Sequence, residues 1–181
     1  TLWGLDPAAF HRTNVLLHAL NAALLFFVAR RLLHSTWAAV IASLLWALHP
    51  MRVESVAWVN ERRDVLSGLF YLLTVLTYLK AVERPNPHRR WLALSVGCFA
   101  LAVLSKALAV TLPVVLLLLD YYPLGRRRFF VEKLPYFAIS AVGIVMAFVA
   151  LARMDVIAPL GWISLEDRAL IVAYSLWFYL T

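Results

Sequence analysis

Charge is scarce in this chain. Only 15% of its 181 residues are charged, 64% are hydrophobic, and the mean hydropathy is +0.81. Soluble domains run about 25% charged and about 45–50% apolar. A water-soluble globule is therefore excluded, and an all-α polytopic integral membrane bundle is indicated. Cysteine is nearly absent. Cys98 stands alone in an apolar run, which rules out an internal disulfide framework and carries no information on redox compartment. The sequence also lacks a nucleic-acid-binding motif, a signal-peptide pattern, an internal repeat, a low-complexity tract and a soluble-domain linker. Asn-x-Ser/Thr sequons are missing too, which favours neither a bacterial inner membrane nor an ER membrane. There is no initiator Met; the chain opens on a loop-like TLWGLDP and closes inside the apolar LWFYLT. The expectation is one transmembrane domain over residues 1–181, a piece of a longer protein.

A hydrocarbon core of about 30 Å needs about 20 apolar residues per helix, so about seven spans fit. They are expected near 12–29, 36–49, 65–82, 91–104, 107–120, 134–152 and from 168 onward. Asp6-Pro7 reads as the first helix start. Ser105-Lys106 separates the fourth and fifth spans, and Pro113 is expected to kink the fifth. Trp162 is a candidate interfacial anchor in the loop 153–167.

The net charge of +7 sits mostly in short connections, so membrane topology explains it better than nucleic acid does. Loops alternate sides. One side collects Arg30, Arg31, Lys80, Arg84, Arg89, Arg90, Arg126, Arg127, Arg128 and Lys133. The other collects Arg12, Arg52, Arg62, Arg63, Lys106, Arg153 and Arg168. The richer side is expected to be cytoplasmic. The margin is narrow because the stretch His49–Asp64 puts three arginines on the other, periplasmic or lumenal side.

That stretch, HPMRVESVAWVNERRD, packs one His, two Glu, three Arg and one Asp into sixteen residues between apolar segments. Charge beside a membrane span must face water, protein or a ligand. A surface-lying amphipathic helix over 52–64 would place Glu54, Trp58, Glu61 and Val65 on one stripe. One use is a snorkelling connector, with its arginines on lipid phosphates. The other is a site. Arg and Lys106 converging on one face suit a phosphate, as fork and point charge. A nearby carboxylate then serves as general base, metal ligand or arginine partner. The residues establish no cofactor with certainty, and the candidates are Mg or Mn. Glu54, Glu61 and Asp64 are hard oxygen donors suited to Mg or Mn, in competition with the arginines. A second polar feature, His11, Asn14, His18 and Asn21, recurs at spacings of three and four on one face of the first span. Helix–helix hydrogen bonding and a cavity wall both fit it.

HPMRVESVAWVNERRDVLSGLF resembles the signature of the transmembrane, tetratricopeptide-repeat-containing O-mannosyltransferases of the GT-C glycosyltransferase superfamily. The resemblance rests on His49, Pro50, Glu54, Val56, Ala57, Arg62, Asp64 and Leu66. Phe10–Leu24, with His18, and the segment around Lys106 resemble the flanking helices of that family. The resemblance implies a polyprenyl-phosphate sugar donor, a protein or glycan acceptor, and a site on the non-cytoplasmic side. It implies supporting catalytic roles for His49, Glu54 and Asp64. Substrate binding would fall to Arg62 above all, with Arg52, Arg63, Lys106, Glu61 and His18. Two departures stand out. The eukaryotic pattern has Lys-Glu where this chain has Lys106-Ala107. The main catalytic acid of such enzymes is expected in a first outer loop, and Asp6 sits in no convincing acidic motif. The rival readings are a transporter or flippase using the polar face of the first span, and a scaffold that anchors a soluble domain.

Overall fold

The computed structural model describes residues 7–58, 61–83, 89–126, 130–153 and 164–180. Asp6 and Trp162 lie outside these, as do Arg84, Arg127 and Arg128. The described residues form helices and connecting turns with no strand. In order these are α1 (Pro7–Leu33), α2 (Thr36–Ala47), α3 (Arg52–Ala57), α4 (Arg62–Val82) and α5 (Arg89–Ser105). A 3-10 turn (Ala107–Thr111), α6 (Leu112–Tyr121), α7 (Phe130–Arg153) and α8 (Leu165–Leu180) follow. The chain groups into two compact units, Thr1–Ile144 and Val145–Thr181.

Within the first unit α4 is the central helix and packs against both α1 and α5. Its face Val75, Tyr78, Leu79 and Val82 joins Phe99 of α5, Leu112 and Leu116 of α6, and Tyr136 of α7 in one buried cluster. Small polar side chains tie the helices where they touch. Ser67 donates to the Ala102 carbonyl (3.2 Å), Ser95 to that of Thr74 (2.9 Å), and Ser140 to that of Val110 (3.0 Å). Such bonds suit a medium without water, where a lone buried hydroxyl has nothing else to pair with. Outward faces are apolar instead of polar: Leu16 is 70% and Trp37 79% exposed. That inversion of a soluble surface is what lipid contact requires.

Three helices among the described residues are long and apolar enough to cross a membrane: Ala8–Leu33, Arg62–Val82 and Val131–Arg153. The remaining expected spans appear as shorter helices. α2, with 12 residues, rises only about 18 Å at 1.5 Å per residue. Two local expectations need correction. The helix expected over 52–64 is broken: α3 ends at Ala57, and Trp58 is extended (φ −83°, ψ 125°). Arg62, Arg63 and Asp64 therefore form the first turn of α4. Pro113 does not kink a span either. It lies in the first turn of α6, where its missing N–H has no intrahelical acceptor to lose. The interruption expected at Ser105-Lys106 is present: the extended backbone of Lys106 (φ −153°, ψ 124°) separates α5 from the 3-10 turn.

Candidate functional site

The break at Trp58 has an identifiable cause. The carbonyls at a helix C-terminus lack intrahelical partners. At the end of α3 the Asn14 amide supplies them, donating to the carbonyls of Val56 (3.4 Å) and Trp58 (3.2 Å). Seven residues along α1, Asn21 donates to the Val65 carbonyl at 2.8 Å. Both asparagines are fully buried. Asn21 lies so close to α4 that a Cβ on Gly68 would meet its amide nitrogen at 3.2 Å. His18 bonds the Ala47 carbonyl, one of the last of α2, at 3.0 Å and stacks on Trp46 (5.2 Å between centroids). The polar face of α1 thus holds α2, α3 and α4 in register.

The charges of the central stretch separate into two groups. Asp64 collects one of them. It pairs with Lys106 Nζ at 2.7 Å and accepts from Ser55 Oγ at 2.5 Å. Lys106 reaches Asp64 because its extended backbone turns the side chain towards the start of α4. Glu61 lies 3.6 Å from Lys106 and 3.6 Å from Arg63. Arg62 belongs to the other group and turns towards α1. It donates to the Phe10 carbonyl (3.3 Å) and Asn14 Oδ1 (3.4 Å), and its guanidinium lies over the Phe10 ring. Arg52 makes no ion pair among the described residues, and its guanidinium lies 4.6 Å from the centre of the Trp46 ring. Glu54 is exposed and makes no ion pair among the described residues. His49 is exposed, with Nδ1 accepting from the Met51 amide (3.3 Å), a local turn contact.

A cavity of about 290 Å³ opens beside this cluster. Arg52, Asp64 and Lys106 line its charged part. Asp64, Ser67, Gly68, Tyr71 and Leu72 continue it down one face of α4, at helical spacings of three and four. From Asp64 to Leu72 that face falls about 12 Å along the helix. Leu25 and Leu108 complete the apolar wall. With two cations and one carboxylate the charged end is net positive, and the rest is largely apolar, with the hydroxyl-bearing Ser67, Tyr71 and Thr111 among the lining. Such a shape suits an amphiphile with an anionic head. Among the described residues no group of three His, Cys, Asp or Glu side chains is placed to hold a metal ion. Arg62, Arg63, Glu54 and His49 do not line this cavity; His49 and His18 line a neighbouring one.

A second ionic cluster was missed in the sequence. Tyr78 of α4 donates its hydroxyl to Asp120 at the end of α6 (2.7 Å), and Lys133 of α7 pairs with the same carboxylate at 2.7 Å. Lys133 also donates to the Tyr78 hydroxyl. Arg126 bonds that hydroxyl (2.9 Å) and grips Glu132 through both terminal nitrogens (2.9 Å each). The Glu132 hydrogen bonds hold the Arg126 guanidinium above its ordinary pKa. Tyr78, Asp120 and Lys133 are wholly buried. The cluster carries two acids and two bases and is internally neutral. It lies at the far end of α4 from Asp64, about 21 Å along the helix for fourteen residues. The available signal was Asp120, an acid in the last turn of an apolar helix. Lys133 and Arg126, which the charge count assigned to topology, have an interior use.

The family model described as dolichyl-phosphate-mannose-protein mannosyltransferase matches residues 7–152. The chain belongs to this family. Relatives agree: the protein O-mannosyl-transferase Tmtc2 of Drosophila melanogaster is 42% identical over 122 residues, 65% of this chain and 13% of the relative. Human protein O-mannosyl-transferase TMTC4 is 35% identical over 126 residues (60% of this chain, 17% of the relative). Human TMTC2 is 33% identical over 128 residues (69% and 15%). The chain therefore spans roughly a seventh of the length of these relatives. No solved structure matches it. The stretch matched by the mannosyltransferase family contains both ionic clusters and the whole lining of the cavity.

Proposed function

We propose that this chain is the donor-holding part of a membrane O-mannosyltransferase, and that the cavity beside Asp64 receives a polyprenyl-phosphate-linked mannose on the non-cytoplasmic face. The observation that carries the reading is the cavity's division into a cationic end and a largely apolar remainder that includes Leu25, Leu72, Leu108 and Ala109. Arg52 and Lys106 take the phosphate. Arg52 is not spent on an ion pair among the described residues, and Lys106 has ammonium protons beyond its bond to Asp64. Asp64 positions Lys106, and Ser55 positions Asp64.

In the transfer, the bond between sugar C1 and the phosphate oxygen breaks, and a bond from C1 to an acceptor hydroxyl oxygen forms. Negative charge grows on the departing polyprenyl phosphate, and the two fixed cations stabilise it there. The hydroxyl proton must leave to a base. Asp64 already accepts from Lys106 and Ser55, so the base is assigned to another group. Arg62 takes a different part from the one the resemblance implies. Its bonds to Phe10 and Asn14 make it a strut between the first turns of α1 and α4. Asn14, His18 and Asn21 each spend a hydrogen bond on joining helices, which favours the transferase reading over the transporter one. Mannose transfer from labelled polyprenyl-phosphate mannose by the full-length protein tests the proposal. Arg52→Gln and Lys106→Ala are expected to lower it at least about tenfold, the scale of one lost charge-assisted contact, with Lys106→Arg partly restoring it. Wild-type transfer by both loss variants would overturn it.

A further inference from the structure

A second cavity, about 250 Å³, adjoins the first. Arg52 lines both. The partition between them is a stack: Trp46 faces the first cavity, His18 stacks on Trp46 and lines the second, and Arg52 lies over the Trp46 ring. The two differ in what surrounds them. The first runs down α4 between apolar walls. The second takes no side chain from α4. Its walls come from α1 (His11, His18), the end of α2 and the turn after it (Ala47, His49), and the short α3 (Arg52, Val53, Val56). Among the described residues it holds no carboxylate, and its histidines form no group able to hold a metal ion.

His18 gives it a defined polar character. Nε2 faces the Ala47 carbonyl, an obligate acceptor, so Nε2 carries the hydrogen. In the neutral ring Nδ1 is then an acceptor with no partner among the described residues, suited to a hydroxyl. His49 has the opposite arrangement. Its Nδ1 accepts from the Met51 amide, which leaves Nε2–H as a donor.

We infer that this second cavity is the acceptor subsite, which takes a hydroxyl-bearing residue of an extended peptide with small apolar neighbours. The inference rests on the donor reading of the first cavity. An acceptor must bring its hydroxyl to the sugar carbon next to the phosphate, and the second cavity is reached across Arg52. A lipid-linked donor arrives along a wall continuous with the spans; a peptide arrives at the helix ends and connections, where this cavity lies. Its volume is below the about 300 Å³ at which drug-sized pockets begin, so it admits one or two residues and not a folded surface. Val53 and Val56 supply the apolar contacts, and His18 and His49 address the hydroxyl as acceptor and donor.

The test uses the full-length protein in detergent with two probes. One is a blocked Val-Thr-Val peptide carrying a photoreactive diazirine, and the other is polyprenyl-phosphate mannose. Mapping of the wild-type peptide adduct is expected to place it within 11–18 or 47–57; an adduct confined to other segments overturns the inference. Val53 is exposed and lines the second cavity only. Val53→Trp is expected to reduce peptide labelling at least about tenfold by filling the space, with donor binding unchanged. Undiminished labelling of Val53→Trp overturns the assignment. So does protection of 11–18 and 47–57 from labelling by free mannose, which would make the cavity a sugar site. Failure of the donor reading has a separate signature: donor affinity that survives Lys106→Ala, whatever the peptide adduct shows.

Discussion

Replacing Lys133 with Met would remove a cation from a place that water does not reach. Lys133 and Asp120 are both 0% exposed, with 2.7 Å between Nζ and Oδ2. Deleting one partner of a buried pair leaves the other charge uncompensated and costs about 3–5 kcal/mol. Here the lower end applies. Asp120 keeps the Tyr78 hydroxyl at 2.7 Å and Arg126 at 3.5 Å. The expected loss for Lys133→Met is therefore about 3 kcal/mol, read from denaturant unfolding in mixed micelles. Asp120→Leu alone strands Lys133 and should also destabilise. The double variant removes both charges, so the two losses should not add; the coupling is about 2 kcal/mol. Arg31→Met is the comparator. Its pair with Glu83 is 33% and 57% exposed, and such pairs are worth about 0–1 kcal/mol. If Lys133→Met falls within the range of Arg31→Met, or if the two buried losses add, the network is not the joint between α4, α6 and α7 argued above.

Other expectations follow from close contacts. A Cβ on Gly143 would lie 2.6 Å from Val103 Cγ1. Gly143→Ala should therefore destabilise by about 1–3 kcal/mol, although Gly→Ala in an open helix stabilises by about 1; Val103→Ala in the same chain should recover most of the loss. Asn14→Leu abandons the carbonyls of Val56 and Trp58 and one bond to Arg62. It should cost about 2 kcal/mol and speed amide hydrogen exchange over 52–57 more than over α4. Arg63 is largely exposed and only 3.6 Å from Glu61, so Arg63→Ala should change stability by less than about 0.5 kcal/mol.

The helical plan was legible because apolar runs of membrane length have few alternatives. The face His11, Asn14, His18 and Asn21 could be placed by spacing, and the hydrogen-bonding use of its last three members is what the structure shows. His11 and His18 also wall a cavity, so the two uses were not exclusive. The break at Trp58 was not legible: no Pro or Gly marks it, and its cause lies 44 residues away in Asn14. Arg62 and Arg52 look alike in sequence, yet one faces α1 and the other a cavity, because they fall on two different helices, α4 and α3. The interruption at Ser105-Lys106 was legible from its polar pair, whereas the start of α6 only at Leu112, which puts Pro113 in a first turn and removes the kink, carries no mark in the apolar run. The buried network escaped because its members stand 13 and 42 residues apart and each looked like an ordinary span-end charge.

The central claim is that Arg52 and Lys106 present a cationic end to a lipid-linked phosphate. Its most direct test is a titration of the purified full-length protein with polyprenyl-phosphate mannose, comparing wild type with Arg52→Gln. Arg52 makes no ion pair among the described residues, so its loss should leave the fold standing. The account predicts saturable binding weakened at least about tenfold, or about 1.4 kcal/mol, with unfolding unchanged. Equal affinity in the two proteins would contradict it.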